Sequence, residues 1–293
     1  MQESSVTEHQ VTEYQAAGHL ALRGALPRAE VEAVRTTVEA LVREATRAAL
    51  PVEERDTYGK AFLQVQDLNR RDPTVRKFVW DQGLAKIAAS LMGVPAVRFY
   101  FDQALFKEPG GGATPWHQDH VYWPLATEKA ITAWIPLVDV PAEMGTMEFV
   151  RGSHRSQHRH LIRISDESED LYSRLVAEEN LPVEPTGPMA VGDVSFHASW
   201  VLHRAMGNST PEVRQVIAVI YFEDGAALYD QIQGSQRIGY DVYFSDLKPG
   251  DVAGVTLCPS SVNRVSAGEI TALRCSAGTS PMAVARWAVA TAR

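Results

Sequence analysis

The sequence predicts a mainly β protein with flanking helices, in which a β-sandwich or jelly roll carries helices on one side. Two observations lead to this class. Before Gly93, two segments place apolar residues at helical spacing, whereas after it come short stretches rich in β-branched and aromatic residues. Glycine and proline turns separate those stretches. Helices followed by many short strands favour a layered fold of this kind.

Two amphipathic helices are predicted in the first third of the chain, at 27–48 and 78–92. Their apolar faces comprise Val31, Val34, Val38, Leu41 and Val42 in the first helix and Leu84, Ile87, Ala88 and Leu91 in the second. Residues 165–180 are acidic and polar, which indicates a solvated helix or an insert between core strands.

Four later segments predict strands, because each is short and bounded by turn residues. They are 97–106, 130–137, 147–150 and 213–222. The longest apolar run, 216–222, is far too short to span a bilayer.

Composition disfavours several classes of function. Of 293 residues, 45% are hydrophobic and 22% charged, as in globular proteins with a full core, and the net charge of −8 disfavours nucleic acid and anionic membranes. The N-terminus lacks the pattern of a secretory signal, and Cys258 and Cys275 form neither a disulfide framework nor a zinc motif. We therefore expect a cytoplasmic monomer or homodimer that acts on a small molecule.

A candidate metal site lies in the stretch Trp116, His117, Gln118, Asp119. On an extended strand, residues two apart leave the same face, so His117 and Asp119 can converge on one ion. His203 supplies a third ligand. Two histidines and one carboxylate leave three corners of an octahedron open, which suits non-haem Fe(II).

The alternative is that these residues are ordinary core groups. A lone histidine on an apolar strand usually makes a hydrogen bond in the core. That alternative leaves Asp119 as a buried charge without a partner. Arg214 raises the same problem, because it lies in an apolar, alternating segment. A buried guanidinium there calls for a carboxylate, and a ligand can provide it.

These residues resemble the phytanoyl-CoA dioxygenase family of Fe(II)- and 2-oxoglutarate-dependent oxygenases, over residues 10–263. The pieces that follow the family's order are 14–26, 107–111, 116–119, 133–137, 145–154, 192–197, and His203 with Asn208, Ser209 and Arg214. The first piece, 14–26, resembles the family's opening strand followed by its first helix. The resemblance implies a double-stranded β-helix (a cupin-like jelly roll) that forms one domain, 1–264. Residues 265–293 would then be a C-terminal extension, in which 282–290 predicts a short helix.

The resemblance also implies roles for individual residues. His117, Asp119 and His203 would hold Fe(II), with 2-oxoglutarate and O₂ as co-substrates. Arg214 would bind the far carboxylate of 2-oxoglutarate. Thr132 and Trp134 share one strand face and would lie beside the co-substrate, although core packing explains Trp134 equally well. Gln64 stands where a family member has a lysine, and this departure leaves its role open.

The implied activity is hydroxylation, or another oxidation, of an unactivated C–H bond in a small-molecule metabolite, for example in natural-product biosynthesis. The candidate substrate-binding residues are Gln103, Trp116 and Tyr122, followed by Phe101 and Trp123. Each of them could equally be a core residue. Two other classes stay open: a jelly-roll metalloenzyme that uses another divalent metal without 2-oxoglutarate, and a non-catalytic binding module.

For the remaining histidines, a structural role is the first interpretation. We expect His120 and Gln118 to face away from the metal, and His197 to be structural. His154, with His158 and His160, belongs to the basic run 151–163. That run is either a solvated loop or a surface that meets an acidic group on the substrate.

Overall fold

The computed structural model describes residues 6–254 and a short strand at 264–266. In this part of the chain, two antiparallel sheets face each other and helices flank the larger one, which confirms the jelly-roll class. The helices are α1 (Glu8–Ala17), α2 (Arg28–Ala45), α3 (Thr57–Ala61), α4 (Pro73–Val79), α5 (Gln82–Met92), α6 (Asp166–Glu178) and α7 (Gln236–Tyr243). The strands are β1 (His19–Leu22), β2 (Leu63–Gln66), β3 (Ala96–Phe106), β4 (Thr114–His117), β5 (Ala130–Pro136), β6 (Met147–Val150), β7 (Val183–Pro185), β8 (Val194–Ala198), β9 (His203–Ala205), β10 (Val216–Glu223) and β11 (Arg264–Ser266).

The helical region differs from the sequence prediction in two places. The expected helix 78–92 is two helices, α4 and α5, because Asp81 caps a new helix by accepting a hydrogen bond from the Leu84 N–H at 3.0 Å. The expected opening strand begins later than Tyr14. Helix α1 continues to Ala17 and ends at Gly18, whose φ of 84° lies in the left-handed region that glycine favours.

The larger sheet has the order β1–β8–β5–β10–β3–β11, with β2 also paired to β3. Its central strand β5 is buried along its whole length because both of its faces are covered. Ile131, Ala133 and Ile135 pack in the core with helices α2, α4 and α5. Thr132 and Trp134, on the alternate face, border the interior cavity. This double burial explains why the strand reads as a continuous apolar run.

The smaller sheet has the order β4–β9–β6–β7 and brings the two candidate histidine ligands together. His117 and His203 lie directly opposite each other across the β4–β9 pair. The expectation that Asp119 lies on the same strand is wrong, because β4 ends at His117 and Asp119 begins a 3₁₀ turn. Gln118 between them is still extended, with φ −123° and ψ 127°, so the two side chains stay on one side.

The edge strand of the larger sheet straddles the expected domain boundary at residue 264. Strand β11, residues 264–266, pairs with the start of β3, and β2 pairs with its end. Cys258, Cys275 and the helix expected at 282–290 lie outside the described residues. Within the described ranges, every helix is either too short or too polar to cross a membrane.

Truncating a core leucine tests the packing of the helices on the larger sheet. Leu91 of α5 is fully buried, whereas Leu50 is 56% exposed. We expect Leu91→Ala to lower the free energy of unfolding by about 2–5 kcal/mol, since it leaves a cavity. The matched Leu50→Ala should change it by less than about 0.5 kcal/mol. Urea unfolding of both variants measures this, and equal losses would contradict the packing.

Candidate metal centre

Three side chains converge between the two sheets to form a candidate metal centre. The ligand atoms of His117, Asp119 and His203 all lie within 4.8 Å of one another. Asp119 Oδ1 is 3.6 Å from His117 Nε2 and 3.8 Å from His203 Nε2. Both histidines are buried, and Asp119 is half-buried at the cavity. The three residues predicted from the sequence are therefore brought together.

Backbone carbonyls orient both imidazoles in the same way. His117 Nδ1 lies 2.7 Å from the carbonyl oxygen of Pro115, and His203 Nδ1 lies 3.0 Å from that of Val201. A carbonyl oxygen only accepts hydrogen bonds, so each Nδ1 carries the proton and each Nε2 keeps its lone pair. Both rings consequently present Nε2 to the centre of the trio, as metal-ligating histidines do.

The carboxylate of Asp119 has one oxygen held by the protein and one directed to the histidines. Thr132 Oγ1 donates to Asp119 Oδ2 at 2.9 Å, and His197 Nε2 lies 3.2 Å from the same oxygen. Sequence reasoning treated His197 as structural and missed its contact with Asp119. The contact depends on the register that places Thr132 of β5 opposite His197 of β8.

The electrostatics of the trio suit a divalent cation. Burial by itself would raise the pKa of Asp119, but the imidazoles of His203, His197 and His117 outweigh it and hold that pKa below its ordinary value. Burial lowers the pKa values of His117 and His203, which favours neutral rings. Two neutral imidazole nitrogens and one carboxylate oxygen fit Fe(II), with an open side toward the cavity.

Arg214 is fully buried beside this centre and lacks a carboxylate partner among the described residues. One terminal nitrogen donates to the carbonyl oxygen of Gly145 at 2.6 Å, while Nε has no hydrogen-bond partner. The guanidinium lies 5.5 Å from the ring centroid of Trp134. Burial lowers the pKa of Arg214 to about 10, so the group is still charged at neutral pH.

A second buried basic residue, Lys107, lies directly across from Arg214. Their backbones exchange two hydrogen bonds of 2.9 Å, so the two side chains leave the same face. Lys107 Nζ donates to the carbonyl oxygen of Gly112 and lies 3.4 Å from Thr114 Oγ1. Burial, followed by the charge of Arg214, lowers the pKa of Lys107 to about 6. Arg214 is charged and Lys107 becomes charged once it takes up a proton, and the described residues place no carboxylate beside them, so the pair favours a negatively charged ligand.

One cavity connects these groups. It encloses about 920 Å³ including its open mouth, and it is bordered by the metal trio, Arg214 and most of the residues predicted from the sequence. Those residues are Gln64, Phe101, Gln103, Tyr122, Trp123, Thr132 and Trp134. Trp116 does not border the cavity, because it packs with Val150, Tyr172 and Leu202, below the guanidinium of Arg204.

Sequence reasoning missed several cavity-lining residues, among them Tyr58, Gln66 and Tyr243. Tyr58 lies on α3 and Tyr243 on α7, two short helices whose positions only the packing decides. No local motif marked either residue.

The neighbours of the trio in sequence have structural contacts. Gln118 Nε2 donates to the carbonyl oxygen of Trp200 and its Oε1 accepts from Tyr172, so the side chain turns away from the cavity. His120 is bound by Ser199 and by the carbonyl oxygen of Leu125. Both side chains therefore face away from the metal site, as expected.

The basic run 151–163 is largely engaged within the protein. Arg151 contacts Glu13 and Glu184, and Arg159 contacts Glu128. His158 contacts Glu179. The other two arginines, Arg155 and Arg163, donate to the carbonyl oxygen of Ala16 and to Ser235 Oγ, and they have no acidic partner among the described residues. Residues 165–180, expected as a helix or an insert, contain α6, which also packs Tyr172 into the core.

Comparison with known proteins gives a consistent result. The family model described as phytanoyl-CoA dioxygenase (PhyH) matches residues 14–216. L-proline trans-4-hydroxylase from Streptomyces griseoviridis is 25% identical over 228 residues, which cover 70% of this chain and 82% of that protein.

Two solved structures are similar along nearly their whole length. The non-haem α-ketoglutarate-dependent carbocyclase SnoK from nogalamycin biosynthesis has a TM-score of 0.69 and 26% identity, and the match covers 87% of this chain and 96% of that one. The epimerase SnoN, in complex with Fe³⁺, α-ketoglutarate and nogalamycin RO, has a TM-score of 0.67 and 26% identity, and it covers 84% and 95%.

Removal of one ligand tests the metal centre. We expect His203→Ala to weaken binding of Co²⁺, a spectroscopic substitute for Fe(II), by more than about 100-fold, because even the partners of metal ligands are worth 10- to 100-fold. The control is His158→Ala, whose imidazole contacts Glu179 at the surface. Anaerobic titration followed by the visible Co²⁺ spectrum measures both. Equal affinities in the two variants would remove His203 from the ligand set.

The Lys107 amine predicts a pH dependence of stability. Its pKa is about 6 in the folded chain and near 10.5 when exposed, so the unfolded chain binds an extra proton between these pH values. The free energy of unfolding therefore gains from this group as the pH rises from about 6 to 10. In Lys107→Met that contribution should vanish, which urea unfolding at a series of pH values detects. Identical pH profiles for the two proteins would contradict the shifted amine.

Proposed function

The chain belongs to the phytanoyl-CoA dioxygenase family, and from that membership we propose how its own residues serve the reaction. The protein is a dioxygenase that depends on Fe(II) and 2-oxoglutarate and oxidises a small molecule. We propose that the oxidised position is an unactivated C–H bond, and that the outcome is hydroxylation. The similar carbocyclase and epimerase are a reason to include other oxidations of a natural product in the proposal.

In this proposal His117, Asp119 and His203 hold the iron. Bound Fe(II) would supply, together with 2-oxoglutarate and O₂, the oxidising power for the C–H bond. The protein's own contribution is to fix the three donor atoms. Thr132 and His197 keep one carboxylate oxygen of Asp119 turned away, so that the other is available for the metal.

Arg214 is the proposed partner of the co-substrate's far carboxylate. A guanidinium matches a carboxylate through two parallel hydrogen bonds, and Nε of Arg214 has no partner within the described residues. Gly145 fixes one terminal nitrogen, and Trp134 supports the guanidinium from its ring face. Lys107, on the same face, adds positive charge once it takes up a proton.

One observation carries the proposal. The metal trio and a fully buried arginine, for which the described part of the chain offers no acidic partner, border the same cavity. A jelly-roll enzyme that uses another metal without 2-oxoglutarate has no need of such an arginine, and a binding module has no need of the trio. The geometry therefore favours the oxygenase over both alternatives.

We also propose that the enzyme works in a reducing cytoplasm on a small molecule. Support for this comes from the sequence, which has two cysteines and a net charge of −8.

The co-substrate site predicts a specific loss in Arg214→Lys. We expect 2-oxoglutarate affinity to fall about 10- to 100-fold, since a lysine keeps the charge but loses the paired hydrogen bonds. Anaerobic titration of the Fe(II)-loaded protein with 2-oxoglutarate, followed by the visible charge-transfer band of a chelated keto acid, measures it. The matched control is Arg237→Lys, whose guanidinium contacts Asp241 at the surface.

The same titration separates the alternatives. If Fe(II) binds and the band never forms in the wild-type protein, the co-substrate claim falls and the enzyme with another divalent metal becomes the better proposal. If the band forms with equal affinity in Arg214→Lys, the arginine lies outside the co-substrate site.

A further inference from the structure

The chemistry of the cavity wall identifies a class of substrate, an inference that rests on the proposed function. Six residues form what we call the neutral wall, and they come from α3, α7 and the paired strands β2 and β3. The neutral wall consists of Tyr58, Gln64, Gln66, Phe101, Gln103 and Tyr243. None of these side chains carries a charge at neutral pH.

The charged side chains that border the cavity are already engaged. Asp119 belongs to the metal trio, and Arg214 is the proposed co-substrate partner. Arg204 contacts Glu148 at 2.8 Å and Glu169 at 3.3 Å. With 2-oxoglutarate bound to Arg214, an ionised group on a substrate would lose its hydration on entering the cavity and would find no free counter-charge among the described side chains that border it.

The neutral wall contains a directed chain of hydrogen bonds. The Tyr58 hydroxyl lies 2.7 Å from Gln64 Oε1, and Gln64 Nε2 donates to Gln103 Oε1 at 2.6 Å. Gln64 provides the one acceptor for the phenol proton within the described part of the chain. Because the phenol proton of Tyr58 is donated to Gln64 Oε1, the Gln64 amide turns its Nε2 to Gln103. The Gln103 amide then turns its Oε1 to Gln64.

The end of this chain is an unused donor. Gln103 borders the cavity, and its Nε2 has no hydrogen-bond partner among residues 6–254. Gln66, directly opposite Gln103 in the β2–β3 register, adds a second neutral amide. A carbonyl, ether or hydroxyl oxygen on a substrate can accept from Gln103 Nε2.

The same wall presents aromatic surface. Phe101 and Tyr243 stack with their ring centroids 5.3 Å apart and an angle of 13° between their planes. Tyr58 is the third ring of the wall. Stacked and edge-on rings favour a ligand that itself contains a ring.

We propose that the substrate is an uncharged, ring-containing molecule that accepts a hydrogen bond from Gln103 Nε2 through an oxygen atom. This class differs from the free amino acid named for the similar proline hydroxylase, since an amino acid carries two charges at neutral pH. Gln103 acts in this proposal by positioning the substrate through a single donor.

A pair of probes tests the class without knowledge of the natural substrate. Coumarin is a neutral bicyclic lactone, and coumarin-3-carboxylate is the same ring system with an ionised group. Anaerobic calorimetric titration in the presence of Fe(II) and saturating 2-oxoglutarate, which occupies Arg214, should show coumarin binding at least about tenfold more tightly than its carboxylate, because the carboxylate would be desolvated without a partner.

Two substitutions test the role of Gln103. Gln103→Glu replaces the donor by an anion, and Gln103→Leu removes it without adding charge, so one remains informative if the other fails to fold. Both should weaken coumarin binding about tenfold, consistent with loss of one hydrogen bond. The matched control is Gln157→Glu, at an exposed position, which should leave it unchanged.

Several outcomes overturn the proposal. They are equal or tighter binding of the carboxylate, unchanged coumarin affinity in both Gln103 variants, and no binding of either probe at millimolar concentration. Failure of the proposed function is recognised separately, by titrating the wild-type protein with 2-oxoglutarate. If 2-oxoglutarate does not bind while coumarin behaves as expected, the neutral wall stands and the co-substrate assignment falls.

Discussion

The half-buried carboxylate of Asp119 is the constraint on which the arrangement of the two sheets depends. Three imidazoles and one hydroxyl surround it, and they come from β4, β5, β8 and β9. A half-buried charge of this kind is tolerated only where its partners are placed accurately. The register of β4 with β9 and of β5 with β8 supplies that accuracy, because each pairing sets one histidine opposite a residue of the site.

A second feature of the site is unfavourable for the stability of the fold. Arg214 and Lys107 are fully buried basic groups on one face, and the described residues supply neither with a carboxylate. The fold keeps this unfavourable arrangement mainly through backbone groups, namely the paired strands and the carbonyls of Gly145 and Gly112. Burial lowers the pKa of Lys107 to about 6, which reduces the repulsion by favouring the neutral amine. A dianionic co-substrate would pair with these two basic groups. The same unpaired groups therefore destabilise the protein locally and favour binding of the co-substrate.

The cavity consequently has regions of different chemistry. Charged groups belong to the metal trio and to the Arg214 side, while the neutral wall contains amides, hydroxyls and rings. This division would allow one cavity to hold an anionic co-substrate and the proposed uncharged substrate in separate regions. It also explains why a wall residue such as Gln103 is fixed by a hydrogen-bond chain, since a single neutral donor is selective only when its orientation is set.

The sequence by itself determined the layered β class, the four central strands, helix α2, and the set His117, Asp119, His203 and Arg214. These features are local or chemically unusual, because periodicity defines a strand and a charge in an apolar segment requires a reason. Only the tertiary structure decided that Tyr58 and Tyr243 border the cavity while Trp116 lies outside it. It alone also decided that His197 contacts Asp119. Such contacts join residues far apart in the chain. They depend on strand register and helix docking, which pairing across the whole fold determines and no short stretch of sequence encodes.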